Sequence, residues 1–198
     1  MFTTKTEIIN YLIEKYGYED YLEIGVQNSE GEYKKINAKY KVGVDPDPKA
    51  KADYVTTSDE FFKSNKHIFD IILIDGLHEW ETVLRDIENS LRVLGENGTI
   101  VMHDCKPVSK IMQKVPRESK QWTGDVWKAF VQTRIDHIDL DMFVVNCDFG
   151  VGIIRRASDL KEFNIGSKKL NYENFEKNLN LWTDLTEPDQ LIEKLCLL

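Results

Sequence analysis

The 198-residue sequence is short of cysteine, of long hydrophobic runs and of basic segments. Its three cysteines, Cys105, Cys147 and Cys196, lie far apart without a CxxC pair, which argues against a disulfide framework or a structural zinc site. No apolar run approaches the ~18 residues that a membrane-spanning helix requires. The N-terminal segment 1–17 is amphipathic and carries two glutamates, unlike a signal peptide, so we expect a cytoplasmic protein.

The charge balance is acidic. The chain has 26 Lys+Arg against 34 Asp+Glu, a net charge of −8, and its basic residues form no run longer than pairs such as Arg155-Arg156 and Lys168-Lys169. An acidic chain has no general electrostatic attraction to phosphate backbones or anionic lipid. We therefore expect neither nucleic acid nor a membrane surface as a partner.

Short apolar segments alternate with amphipathic ones along most of the chain. The clearest strand is Phe69–Ile74, which is apolar without alternation, as is typical of a parallel strand covered on both faces. Helical spacing predicts a first helix through Ile8–Tyr16, ended by Gly17, and a later helix at Trp80–Leu94. Further strands are expected at Tyr21–Val26, Lys41–Val44, Asp53–Thr56 and Gly98–Met102.

This alternation indicates an α/β fold of the Rossmann-like kind, with a doubly wound, mostly parallel sheet and helices on both faces. Two later β-rich runs, Met142–Val145 and Val151–Ile154, predict an antiparallel hairpin at the end of the sheet. No linker divides the chain. We expect one domain over residues 1–156, and a C-terminal extension, 157–198, that packs on the same domain and ends in a helix at Pro188–Leu195.

Polar side chains follow five of the predicted strands at the point where each strand ends. In an open parallel sheet, ligands bind beyond the carboxyl ends of the strands. These side chains are therefore the first candidates for a functional site. They are Glu23 with Gly25, Asp45, Ser58 with Asp59, Asp75 with His78, and His103 with Asp104.

The first strand and its loop, with Gly25 and a later Gly31, lack the GxGxxG spacing of a dinucleotide site. A pyrophosphate needs several backbone amides at a helix N-terminus, so a cofactor with an amino-acid end and no phosphate fits better. Asp45, about twenty residues after Gly25, is placed to accept hydrogen bonds from two ribose hydroxyls. The alternative is that Asp45 is a turn residue before Pro46.

Five segments together resemble the class I S-adenosylmethionine-dependent methyltransferases: YLEIGV, VGVDPDP, TSDEFF, FDIILIDGLHEWETVLRDI and GTIVMHDC. The likeness is greatest to the group that acts on small molecules and sugars, with Asp-Gly-x-His after one strand and His-Asp after the next. It spans about residues 20–156. The resemblance implies S-adenosylmethionine as cofactor, with the methionine part beside Glu23 and Gly25, the ribose on Asp45, the adenine by Ser58 and Asp59, and the sulfonium near Asp75.

A divalent metal ion is also suggested by the resemblance, because some relatives hold one at the ends of the fourth and fifth strands. Asp75 and Asp104 match those positions, and carboxylates suit Mg²⁺. His103 stands where a third carboxylate would help, and imidazole is a poorer ligand for Mg²⁺. The alternative is that both aspartates bind the cofactor or cap helices.

Two further features bear on the acceptor. His78, three residues past Asp75, is a candidate general base, because a neutral imidazole accepts a proton near pH 7. Trp122 and Trp127 flank a Gly-Asp pair and can form an aromatic wall for the substrate, with Asp125 reaching a hydroxyl. Tryptophans at this spacing are also common in protein cores.

The resulting hypothesis is an enzyme that methylates an oxygen of a hydroxylated small molecule, such as a sugar, with His78 and Asp75 as the catalytic residues. The alternative is a catalytically inactive protein that binds S-adenosylmethionine or a nucleotide as a regulator or scaffold. An NAD-linked oxidoreductase is disfavoured by the missing GxGxxG. The C-terminal tail can either cover the site or build a contact in a homo-oligomer, and the sequence does not choose between the two.

Overall fold

The computed structural model describes residues 1–197, which form six strands and six α-helices. The strands are β1 (Asp20–Ile24), β2 (Tyr40–Val44), β3 (Phe69–Ile74), β4 (Leu94–Met102), β5 (Leu140–Val145) and β6 (Val151–Arg156). The helices are α1 (Lys5–Tyr16), α2 (Ser58–Ser64), α3 (Trp80–Val93), α4 (Val126–Asp136), α5 (Tyr172–Thr183) and α6 (Leu191–Leu195).

All six strands form one sheet in the order β2-β1-β3-β4-β6-β5. The pairs β1–β2, β1–β3 and β3–β4 are parallel, whereas β6 runs antiparallel to both β4 and β5. The expected fold class, a doubly wound and mostly parallel sheet with a C-terminal antiparallel hairpin, is therefore confirmed. The parallel half places the ends of β1, β3 and β4 side by side at one edge.

Two apolar layers cover the sheet. Helices α2, α3 and α4 bury Phe61, Ile87 and Phe130 on one face, and α1 and α6 bury Leu12 and Leu191 on the other. Each residue of β3 except Asp70 is at most 2% exposed, which explains its unbroken apolar sequence. None of the helices within residues 1–197 is long and apolar enough to cross a membrane.

Helix α1 ends at Gly17, as its sequence predicts, but begins at Lys5, three residues before the predicted start at Ile8. Thr4 and Glu7 form a capping box, in which the side chain of each residue accepts a hydrogen bond from the backbone amide of the other. Gly17 closes the helix in the left-handed conformation, with φ of 66°. This fixed start matters for the site, because the first helical residue, Lys5, lies at the carboxyl edge of the sheet.

The prediction of a strand at Asp53–Thr56 is wrong. The structure shows only an isolated parallel bridge between Val44 and Tyr54 beside β2. The Asp53 carboxylate accepts a hydrogen bond from the Gly43 amide, at 2.8 Å, and another from the Tyr33 hydroxyl, at 2.6 Å. The side chain of Asp53 thus accepts the hydrogen bond that the Gly43 amide of β2 would donate to a neighbouring strand. Segment 53–56 therefore does not form a regular ladder of backbone hydrogen bonds with β2.

The C-terminal residues contact helix α4 and the sheet. Phe175 and Trp182 of α5 pack on Trp127 of α4, and Thr186 forms a bridge with Val145 at the end of β5. The last helix is shorter than the predicted Pro188–Leu195 and begins at Leu191. The division at residue 156 stays a prediction.

Candidate active site

The ends of β1, β3 and β4 bring distant parts of the chain together. The Asp75 amide donates to the Ile24 carbonyl at 2.8 Å, and the His103 amide donates to the Ile74 carbonyl at 3.2 Å. These bonds extend the parallel pairing one residue beyond each strand. They place the residues after β3 next to those after β4, as the sequence predicts.

Gly25 occupies a position where no side chain fits. Its φ is +91°, and a Cβ atom built there would lie 2.2 Å from the Asp75 carbonyl oxygen and 2.5 Å from the Gly76 Cα atom. Only glycine allows this conformation without strain, and only the missing Cβ allows the backbones after β1 and β3 to approach so closely. A cradle of bare backbone results at the edge of the sheet.

Asp75, His78 and Asp104 form the centre of the site. The His78 Nδ1 atom lies 3.1 Å from Asp104 Oδ2, and its Nε2 atom lies 3.5 Å from Asp75 Oδ1. One ligand atom from each of the three residues lies within 4.8 Å of the other two, a spacing at which a metal ion can be bound. Asp104 adopts a positive φ of 60°, an uncommon conformation for a residue with a side chain.

Three other residues complete the cluster, two of which the sequence did not indicate. His103 Nδ1 lies 3.2 Å from Asp75 Oδ1, and its Nε2 lies 3.4 Å from Asp148 Oδ1. Lys5 places its ammonium 3.4 Å from Asp75 Oδ2, and its backbone amide donates to Asp148 at 2.9 Å. Asp148 comes from the β5–β6 turn, which sequence analysis identified only as a hairpin, and Lys5 carries no local signal at all.

These contacts shift the ionisation of the cluster. Burial alone would raise the pKa of Asp75, but hydrogen bonds from His103 and His78 and the charges of His103 and Lys5 hold it well below its usual range. Burial lowers the pKa of His103, but its carboxylate neighbours outweigh that effect and raise it to about 10. The pKa of His78 is raised for the same reason, and burial raises that of Asp104. Asp75 is thus an anion that lies beside the cations of Lys5 and His103.

Glu23 lies on the same edge but is buried. Only 4% of the residue is exposed, and its carboxylate accepts a hydrogen bond from the Tyr21 hydroxyl. Burial, helped by the negative charge of Asp75, raises its pKa to about 7, although the hydrogen bond from Tyr21 opposes the shift. Glu23 therefore changes its charge near neutral pH.

This shift predicts a pH effect on stability that Glu23→Gln should remove. The folded state keeps the Glu23 proton up to about pH 7, whereas the unfolded state releases it near the ordinary value of 4.5. The free energy of unfolding therefore falls as pH rises through this window, by roughly 3 kcal/mol in all. Urea unfolding at pH 5 and pH 8 measures the effect.

The difference between the two pH values should be smaller in Glu23→Gln than in the original protein by roughly 2–3 kcal/mol. Other titrating groups are common to both proteins and cancel in the comparison. Glu14→Gln, at an exposed position on α1, is the matched control and should leave the pH profile unchanged. Equal pH profiles for Glu23→Gln and the original protein would show that Glu23 is ionised throughout.

The predicted contacts of ribose and adenine lie outside the cluster. Asp45 follows β2, where its carboxylate accepts hydrogen bonds from the amides of Gln27, at 2.9 Å, and Asp47, at 2.8 Å. It therefore ties the loop after β1 to its own turn. Ser58 begins α2, and the partly exposed Asp59 faces Arg85 at 3.4 Å.

The proposed aromatic wall is only half present. The Trp122 ring stacks on the His78 ring, with centroids 5.3 Å apart and planes inclined by 21°. Trp127, by contrast, is fully buried against α5 and belongs to the core. Asp125 does not point to an open site, because its carboxylate accepts from the Trp80 amide at the start of α3 and pairs with Lys128.

The fold and the candidate site define a Rossmann-like α/β protein with a cluster of charged residues at the carboxyl edge of its sheet. A family model described as a methyltransferase domain matches residues 14–105. A search of curated proteins finds no match.

Three solved structures with this fold illustrate the likeness. A putative caffeoyl-CoA O-methyltransferase from Staphylococcus aureus has a TM-score of 0.58 and 15% identity, and the match covers 79% of this chain and 85% of that one. An O-methyltransferase from Bacillus cereus in complex with SAH has a TM-score of 0.54 and 13% identity, with 78% of this chain and 80% of that one covered. The MycE methyltransferase from the mycinamycin biosynthetic pathway, in complex with Mg, SAH and mycinamycin VI, has a TM-score of 0.52 and 16% identity, with 82% of this chain and 51% of that one covered. At such identities the structures establish the fold. The matched family model, over just under half of the chain, and this shared fold support the resemblance to the class I S-adenosylmethionine-dependent methyltransferases.

Proposed function

We propose that this protein transfers the methyl group of S-adenosylmethionine to a hydroxyl oxygen of a small acceptor, with a sugar as the favoured class. The observation that carries this proposal is His78, held between two carboxylates at the reacting edge and stacked on Trp122. The names of the similar structures from S. aureus and B. cereus support oxygen as the methylated atom. MycE, solved with Mg and mycinamycin VI, supports a small molecule as the acceptor.

The cofactor would lie across the ends of β2, β1 and β3. The bare backbone at Gly25 gives room for a close approach, and the single glycine suits a cofactor without phosphates. We assign the methionine part to Glu23 and Gly25, the ribose to Asp45, the adenine to Ser58 and Asp59, and the neighbourhood of the sulfonium to Asp75. Each carboxylate oxygen of Asp45 accepts one loop amide and has a second lone pair, so Asp45 can also accept from the two ribose hydroxyls.

His78 is the proposed base. When bound, S-adenosylmethionine supplies an electrophilic methyl group whose carbon–sulfur bond breaks as the new carbon–oxygen bond forms. His78 takes the proton of the acceptor hydroxyl, and the adjacent carboxylates of Asp75 and Asp104 stabilise the imidazolium that results. The products are the methyl ether and S-adenosylhomocysteine.

Asp75 and Asp104 are the proposed ligands of a Mg²⁺ ion. Their carboxylates converge beside His78, and such oxygen ligands suit a hard cation. Bound there, Mg²⁺ would lower the pKa of the acceptor hydroxyl. The ion would share Asp75 with the Lys5 ammonium, so its affinity depends on how far Lys5 can withdraw.

The test is calorimetric titration of S-adenosylhomocysteine into the purified protein and two variants, with and without Mg²⁺. We expect one-site binding that Asp45→Ala weakens by roughly tenfold or more, because two charge-assisted hydrogen bonds are lost. His78→Ala should keep its affinity within about twofold, because its proposed role is toward the acceptor.

The outcomes separate the parts of the proposal. Absence of binding to the original protein in both buffers would contradict the proposed cofactor site. Unchanged affinity in Asp45→Ala would remove the ribose assignment alone, and methylation of acceptors by His78→Ala at the original rate would remove its role as base. If Mg²⁺ alters neither the affinity nor the melting temperature, the metal site is wrong.

A further inference from the structure

A basic segment adjoins the site in this acidic chain. Residues 106–120, named here the basic loop, contain Lys106, Lys110, Lys114, Arg117 and Lys120 and a single carboxylate, Glu118. The loop therefore carries a net charge of +4, whereas the whole chain carries −8. Such a local reversal of charge concentrates anions at one place on the surface.

The basic loop belongs to an ordered connection between β4 and α4 without helix or strand. Connections of this length inside a compact domain are uncommon and usually have a function. The Trp122 indole donates to the Lys114 carbonyl at 2.6 Å, and the Thr123 amide donates to the Met112 carbonyl at 3.1 Å. The loop is thus fixed to its own C-terminal end, which leads directly to the site.

The loop reaches the proposed base through an aromatic contact. The Trp122 ring lies against His78 on one side, and the Arg117 guanidinium lies 5.8 Å from the Trp122 ring centroid. At its other end, Lys106 follows Asp104 by two residues, and its amide donates to the Phe149 carbonyl at 2.7 Å. The two ends of the basic loop therefore lie beside the reacting edge.

Part of this positive charge is free for a ligand. Lys110 and Lys114 each pair with a glutamate. Among residues 1–197, no carboxylate forms an ion pair with the other three cations, Lys106, Arg117 and Lys120. Arg117 donates to the Ser119 and Lys120 carbonyls, which fix its guanidinium and leave further N–H groups unused.

We propose that the basic loop binds a phosphoryl group of the acceptor, so that the substrate is a phosphorylated hydroxy compound such as a sugar phosphate. The inference rests on the proposed function, because it concerns the acceptor of the same site. Arginine and lysine together match the charge and the several acceptor oxygens of a phosphoryl group. The Trp122 face adds a surface on which a ring of the acceptor packs.

The test titrates inorganic pyrophosphate, glucose 1-phosphate and glucose into the protein saturated with S-adenosylhomocysteine. Binding is followed by calorimetry and by tryptophan fluorescence, at two salt concentrations. The variant is Lys106→Gln/Arg117→Gln/Lys120→Gln. The matched control is Lys168→Gln/Lys169→Gln, which removes two exposed charges from the C-terminal part of the chain.

We expect the two phosphorylated probes to bind, more weakly at higher salt, and glucose to bind at least about tenfold more weakly. The triple variant should lose about tenfold or more in affinity for the phosphorylated probes, while the control stays within about twofold. Affinity for S-adenosylhomocysteine should be unchanged in both, which shows that the variants are folded.

Three results would overturn the inference: equal binding of glucose and glucose 1-phosphate, equal affinity of the triple variant, or an equal loss in the control. The apolar side chains Val108, Ile111 and Val115 are exposed on the loop, as they would be on a segment that contacts a membrane. Loop-dependent binding to vesicles of anionic lipid without binding of the soluble probes would therefore also overturn it. If S-adenosylhomocysteine itself does not bind, it is the proposed function that fails.

Discussion

Gly25→Ala is expected to lower the free energy of unfolding by about 3 kcal/mol or more and to abolish binding of S-adenosylhomocysteine. The positive φ of +91° strains any residue with a Cβ atom, at a cost of about 1–3 kcal/mol. The added methyl group would also meet the Asp75 carbonyl oxygen at 2.2 Å. Because the obstructing atoms belong to the backbone, the ends of β1 and β3 must separate, which costs a similar amount again.

Gly17→Ala is the matched control for this experiment. Gly17 also has a positive φ, of 66°, but nothing lies within 4 Å of a Cβ atom built there. Only the strain remains, so we expect a loss of about 1–2 kcal/mol and unchanged cofactor affinity. Urea unfolding and calorimetry measure both quantities. Similar losses in the two variants would mean that the edge of the sheet adapts to a side chain at position 25.

Asp75→Asn should be the most damaging change in the charged cluster. Asp75 is the anion that faces both the Lys5 ammonium and the His103 ring, and 17% of its side chain is exposed. Its loss leaves those cations partly buried without their nearest counter-charge, which typically costs about 3–5 kcal/mol. We expect a loss of roughly 3 kcal/mol in urea unfolding at pH 7, and no methyl transfer.

Glu60→Gln provides the comparison with an exposed ion pair. Glu60 lies 2.5 Å from Lys63 on the surface of α2, where such pairs contribute at most about 1 kcal/mol. If both substitutions have equally small effects, the cluster is more hydrated than its geometry indicates. Lys5→Met in the Asp75→Asn background is informative as well, because it should recover part of the stability by removing an unpaired cation.

Local patterns were enough to predict most of the fold. The apolar run Phe69–Ile74 indicated a strand buried on both faces, and the alternation of elements indicated a doubly wound sheet. The strand at Asp53–Thr56 was wrong because the outcome depended on the Asp53 side chain, which bonds to Gly43 and Tyr33. The strand propensity of residues 53–56 does not show whether a side chain or a backbone group will bond to the neighbouring strand.

The central residues of the site were also accessible from the sequence. Asp75, His78, His103 and Asp104 each follow a predicted parallel strand, and neighbouring parallel strands end at the same edge, so their proximity follows from the order of elements. The sequence did not show which of Trp122 and Trp127 lies at the site and which lies in the core, because the two tryptophans differ only in what they pack against.

The sequence by itself determined the class of fold, the edge of the sheet that carries the candidate site, and the acidic and imidazole groups gathered there, because these depend on periodicity and on the order of strands. Only the tertiary structure decided that Lys5 and Asp148 join them and that Glu23 is buried. Lys5 and Asp148 are 143 positions apart in the chain. Contacts across such separations depend on how whole elements pack, and so do the pKa shifts that follow from them.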